Sequence, residues 1–274
     1  MRTLMGGIAI SIGIYLILLL LVFLFQRQLL YLPDQTVPDK LHLSKMSVTE
    51  VTLQSELSGE LRSLWRAPLQ NDNPVILFLH GNAGSQYHRL PLLQAMAQDG
   101  AGVLTVGYPG YGGNPGSPSE PALYDVAQAN FNWLIAQGIV PKRIVIVGES
   151  LGSGVATHLA TQNEAAGLIL IASYTGMDDM AQRQFPIFPA KWLARDRFRS
   201  IERIDQIDMP LSWIHGKADA LIPFAMGQQL FDSAINPKIA YPIEQGGHND
   251  LWSRGIDEIV RREAERFVSG VPDD

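Results

Sequence analysis

The chain has 274 residues, 46% hydrophobic and 18% charged, with 25 glycines, 17 prolines and no cysteine. This composition excludes intrinsic disorder, a collagen repeat, a disulfide scaffold and any cysteine nucleophile or cysteine-ligated metal. A formal net charge of −6 argues against nucleic acid as a partner, because phosphate binding needs a basic face.

Between Arg2 and Arg27 no residue is charged, and 7–25 reads GIAISIGIYLILLLLVFLF. Leu, Ile, Val and Phe fill 14 of these 19 positions, which is long enough to cross a bilayer with a little tilt. At about −0.3 to −0.6 kcal/mol each they favour insertion by roughly 4–8 kcal/mol as an upper bound. A buried core helix of this length would carry polar interruptions. A cleaved signal peptide would end in a small-x-small site, whereas Phe23, Phe25, Gln26 and Arg27 follow. Residues 1–26 therefore read as an uncleaved signal-anchor that makes the protein single-pass. Arg2 on one side and Arg27, Lys40 and Lys45 on the other nearly balance. The short N-terminus leans the reading towards a catalytic domain outside the cytoplasm.

Residues 27–46 form a proline-punctuated linker, and 47–274 a folded domain. Segments 48–53 and 61–66 resemble two antiparallel strands joined around Ser58 and Gly59. The short apolar runs 75–79, 103–106, 144–147, 168–172, 211–214 and 239–243 suit strands of a parallel sheet covered on both faces. Helical patterns fall between them at 90–98, 121–137, 151–162 and 225–234. This alternation predicts a doubly wound α/β sheet. Segment 173–210, rich in aromatics, Met and Arg, is too long for a simple crossover and reads as a small helical cap.

The strand at 144–147 runs directly into Gly148-Glu149-Ser150-Leu151-Gly152, a G-x-S-x-G pattern followed by small residues. Strand, pattern and helix together make a nucleophile elbow, with Ser150 as the attacking residue. A serine hydroxyl needs a base, and the base needs an acid to orient it. Among the six histidines, His42 lies in the linker, His158 points away from the elbow, and His80 and His215 suit structural roles. His248 follows the last strand in a Glu-Gln-Gly-Gly loop able to present an imidazole above the sheet edge. The order Ser, acid, His then asks for an acid at a strand's carboxyl end, which Asp219 meets. An oxyanion needs preorganised backbone donors, and the N–H groups of Leu151 and of Asn82 in His80-Gly81-Asn82-Ala83-Gly84 are the expected pair. No H-E-x-x-H pattern and no Walker A loop is present.

H-G-N-A-G at 80–84, the G-Y-x-G-Y-G loop at 107–112, G-x-S-L-G, D-x-x-I-P-F at 219–224 and G-G-H at 246–248 carry a family resemblance. With the anchor and its exit Phe25–Pro33, the chain resembles the membrane-anchored α/β-hydrolase-domain serine hydrolases of the depalmitoylase-like and lysophospholipase-like branch. The resemblance implies an α/β-hydrolase fold, a Ser150, Asp219 and His248 triad and no cofactor; the absence of a metal-ligand spacing leaves no metal expected. Pro109 stands where many relatives carry arginine and Ser153 where glycine is frequent, departures that bear on substrate. The expected activity is hydrolysis of esters or thioesters of hydrophobic, lipid-like acyl groups through an acyl-serine. A peptidase or amidase on the same triad, or a non-catalytic binding protein of this fold, are the alternatives. Oligomeric state is not legible.

Overall fold

The computed structural model describes residues 2–270. Helix α1 (Arg2–Leu30) is exposed or half-buried from Leu4 to Leu30. Its stretch Leu4–Leu30, of mean hydropathy 3.0, is long and apolar enough to cross a membrane. The helix continues through Arg27 into the segment read as linker. There a two-residue strand, β1 (Leu32–Pro33), is followed by the short α2 (Lys40–Lys45).

The hairpin β2 (Thr49–Ser55) and β3 (Gly59–Arg66) is antiparallel, its turn closed by Gly59 at φ +75°. Then come β4 (Val75–Leu79), β5 (Ala83–Gly84), α3 (Leu90–Met96), β6 (Gly102–Thr105) and α4 (Glu120–Ala136). These lead to β7 (Ile144–Glu149), α5 (Leu151–Gln162) and β8 (Gly167–Ile171). Within the expected cap lie two helices, α6 (Met177–Gln184) and α7 (Ala190–Leu193), and two 3₁₀ turns. The chain ends with β9 (Leu211–Gly216), α8 (Phe224–Ser233), β10 (Lys238–Ile243) and α9 (Ile256–Ser269).

Eight strands form one sheet in the order β10-β9-β8-β7-β4-β6-β3-β2. β2 and β3, and β3 and β6, pair antiparallel, while every pair from β6 to β10 is parallel. Strand alternation explains why the central runs are apolar throughout. In β4, Val75, Leu77 and Leu79 pack with Leu123 of α4 and Val155 of α5, whereas Ile76 and Phe78 pack with Leu93 of α3 and Val260 of α9. A strand buried on both faces has no polar position to offer.

The order has a mechanical consequence. From β4 the chain moves outward to β6, then returns to lay β7 on the other side of β4 and proceeds away through β8, β9 and β10. Connections after β4 and β7 therefore leave on opposite faces, opening a crevice beyond their carboxyl ends.

Candidate active site

That crevice holds the elbow. Ser150 sits between β7 and α5 at φ 50°, ψ −120°, a left-handed conformation costing a non-glycine residue of order 1–3 kcal/mol. The surroundings hold it there: Ser150 N–H donates to Ile171 O at 2.9 Å, and Ser153 N–H donates to Ser150 O at 2.8 Å. Tight packing completes the restraint, because a Cβ on Gly152 would lie 2.0 Å from Leu79 O.

Two loops bring the other side chains in. After β9, the chain turns at Asp219, whose Oδ1 accepts the N–H groups of Leu221 (2.9 Å) and Ile222 (2.8 Å). After β10, the glycine loop lies against that turn, with Ala218 N–H donating to Gly246 O at 2.9 Å. Gly247 N–H donates to Asp250 Oδ1 at 2.7 Å, so Asp250 shapes the loop instead of meeting the imidazole. The result is a continuous chain of contacts. Ser150 Oγ lies 3.0 Å from His248 Nε2, and His248 Nδ1 lies 2.8 Å from Asp219 Oδ2. Ser150, Asp219 and His248, 98 and 29 positions apart along the chain, are thus brought together.

Burial pushes the Asp219 carboxyl up, but hydrogen bonds from His215 and His248, the charge on His248 and the Ile222 N–H outweigh it. The carboxyl is held well below the usual carboxylate range and stays ionised at neutral pH. His215 has a part the sequence does not disclose. Its Nε2 lies 3.0 Å from Ile222 O, the backbone role expected of it, and also 3.5 Å from Asp219 Oδ2. The i,i+4 spacing from His215 to Asp219 is the only sequence signal for that contact.

The expected oxyanion donors flank the serine. Asn82 and Leu151 line the same cavity as Ser150, and their backbone N–H groups donate to no protein acceptor among the described residues. Asn82 does more than the sequence suggested. Its side-chain amide donates to Leu30 O, and its Oδ1 accepts from Leu32 N–H (3.2 Å) and Tyr111 Oη (3.2 Å). Beside it β1 pairs with β5, so the chain leaving α1 is stitched directly to the site loop.

Two further histidines, His80 and His158, have structural surroundings. His80 is buried against Tyr108 and Tyr111, and burial together with the Arg89 charge lowers its pKa to about 3. His158 stacks on Tyr124 at 3.7 Å between centroids, and burial lowers it to about 4. Among the described residues no three His, Asp or Glu side chains gather into a metal site.

A cavity of about 420 Å³ rises from Ser150. Its walls are overwhelmingly apolar, and two elements supply most of them: the cap and α1. Arg27 on α1 holds buried Asp196 of the cap with two bonds, Nε to Oδ2 at 2.8 Å and Nη2 to Oδ1 at 3.0 Å. Gln26 Oε1 accepts from Arg195 N–H at 2.7 Å, and Tyr15 packs on Phe188 at 5.4 Å between centroids. The sequence presents α1 as an anchor; the fold makes it a wall of the site.

Comparison with known proteins places this arrangement. The chain is 35% identical to an uncharacterized protein of Mycobacterium tuberculosis over 247 residues, 86% of each chain. It is 36% identical to the lysophosphatidylserine lipase ABHD12 of Danio rerio over 189 residues, 62% of this chain and 49% of that one. The chain thus matches about half the length of that lipase. Among solved structures, a Pyrococcus furiosus esterase superposes with a TM-score of 0.69, covering 87% of this chain and 97% of the esterase at 17% identity. The model of the alpha/beta hydrolase family matches residues 76–245, from β4 to the loop that carries His248, and by that match the chain belongs to the alpha/beta hydrolase family.

Proposed function

We propose that this chain is a serine hydrolase that cleaves carboxylic ester or thioester bonds of hydrophobic acyl substrates through an acyl-serine intermediate. The observation that carries the reading is the unbroken contact chain from Ser150 Oγ through His248 to an ionised, buried Asp219. His248 Nε2 takes the Ser150 proton as Oγ attacks the acyl carbon. Asp219 keeps the Nδ1 proton in place and stabilises the imidazolium that forms. The N–H groups of Asn82 and Leu151 face the developing oxyanion, each contributing about 2.7–4 kcal/mol in the transition state. Collapse of the tetrahedral intermediate breaks the ester bond, and His248 returns the proton to the leaving alcohol or thiol. Water then repeats the sequence on the acyl-serine, releasing the acid and restoring the hydroxyl.

The apolar cavity above Ser150 supports an acyl group, and the name of the lysophosphatidylserine lipase relatives supports a lipid ester. The domain reading that goes with this function has residues 1–26 as a membrane anchor, 47–274 as the catalytic domain and 173–210 as its cap. The test is a panel of p-nitrophenyl esters of rising acyl length, matched thioesters and aminoacyl amides, given to the full chain in detergent micelles. Ester or thioester turnover that vanishes in Ser150→Ala supports the reading. Hydrolysis of amides alone overturns it in favour of a peptidase.

A further inference from the structure

From Leu18 to Leu30 of α1, the half-buried residues fall at 19, 22, 23, 26, 27 and 30, spaced three and four apart, while their neighbours Leu18, Leu20, Leu21, Leu24 and Phe25 are exposed. Such spacing puts one stripe of the helix against the protein and leaves the rest to its surroundings. Only the last member of the stripe, Leu30, packs against the core. Leu19, Val22, Phe23, Gln26 and Leu30, with Leu29 beside them, line the cavity that contains Ser150. Met180, Phe185 and Phe188 of the cap face them across it. From Leu19 to Leu30 the wall is about 16 Å of helix, the length of roughly a dozen extended methylenes.

The same helix is the one apolar enough to span a bilayer. Its exposed side would meet acyl chains while its inner stripe faces the cavity, so one wall of the slot is the helix that would border the bilayer. The cap's tip matches that setting. Ile187 and Trp192 are 72% and 81% exposed, and Tyr15 Oη, deep in the apolar stretch, donates to Ile187 O at 3.1 Å. At the other end of the slot, β1 pairing with β5 and the Arg27–Asp196 bridge fix the helix relative to Ser150.

We propose that α1 is the specificity wall of the site, and that a single long acyl chain slides laterally from the leaflet between α1 and the cap until its ester reaches Ser150. The inference rests on the hydrolase reading above and names its substrate class: one-chain, leaflet-resident acyl esters or thioesters. Residues 19 and 22 then measure acyl length, and the anchor does more than fix location.

The test compares kcat/KM for p-nitrophenyl palmitate and butyrate in the full chain reconstituted in phosphatidylcholine nanodiscs. Leu19→Trp and Val22→Trp fill the slot; Leu20→Trp and Leu24→Trp add the same bulk on the exposed side. The palmitate-to-butyrate ratio falls at least about tenfold in the first pair and stays within about twofold of wild type in the second. Equal ratios in all four variants, with Ser150-dependent butyrate hydrolysis intact, overturn the inference while leaving the hydrolase reading standing. Failure of the wild type to hydrolyse either ester removes both. A fluorophosphonate carrying a long alkyl tail with a terminal diazirine gives a readout on unaltered protein. Crosslinks from the Ser150 adduct to residues 19–30 support the wall, and crosslinks confined to 173–210 refute it.

Discussion

Gly216 is the point at which the two loops bearing Asp219 and His248 touch, and Gly216→Ala tests whether their contact makes the site. A Cβ there would lie 2.2 Å from Gly246 O and 3.0 Å from Gly247 O. An ordinary carbon–oxygen contact is about 3.3 Å, so the loops must part by about 1 Å. Ala218 N–H then leaves Gly246 O, now 2.9 Å away, and the 2.8 Å His248–Asp219 bond stretches beyond hydrogen-bond range. Overpacking costs about 1–3 kcal/mol and the lost bond about 1 kcal/mol, which lowers Tm by roughly 5–15 °C. Catalysis suffers more: a 1 Å misplacement costs about 10²-fold, and complete loss of the acid's grip about 10⁴-fold. Short-chain ester hydrolysis and thermal unfolding of the full chain in detergent measure both. A folded Gly216→Ala variant with wild-type kcat/KM would refute the claim that this contact aligns the imidazole.

Asp219→Asn should lower kcat by about 10⁴-fold with KM within a few-fold, because the amide favours the wrong imidazole tautomer; a loss under tenfold in steady-state kinetics would count against the acid's assignment. His80 is neutral and buried with its pKa lowered to about 3, so the unfolded chain binds the proton first. Its contribution is complete above about pH 6.5 and is lost as pH falls towards 3, by about 1.4 kcal/mol per pH unit. Tm measured against pH should therefore be flatter over that range for His80→Gln, and parallel curves would sink the idea. Arg27→Ala leaves buried Asp196 without its cation. Since Arg27 is itself 42% exposed, the cost is about 1–2 kcal/mol, read as faster limited proteolysis within 173–210. An unchanged cleavage rate would show that the bridge does not hold the cap.

What the sequence discloses is what short-range patterning controls. Apolar runs such as 144–147 mark strands buried on both faces, and Gly148 and Gly152, two residues either side of Ser150, mark the elbow, because sterics there leave few other choices. Helix α5 begins and ends where expected, at Leu151 and Gln162. Helix α9 is absent from the expected elements, although Ile256, Val260 and Ala264 recur on one face; its charged outer side hides the pattern. The two-residue pairing of β1 with β5 leaves no periodic signal at all. The larger omission is tertiary. Arg27 meets Asp196 across 169 residues, and nothing local in either neighbourhood announces the pairing. A uniformly apolar helix reads as a membrane segment because every face is greasy, which conceals which stripe faces a cavity.

The reactivity of Ser150 decides the account most directly. A fluorophosphonate probe applied to the folded full chain, followed by peptide mapping, should modify Ser150 and nothing else, and Ser150→Ala should lose labelling and ester turnover together. Folded protein that resists the probe, or a Ser150→Ala variant that still hydrolyses esters, would contradict it.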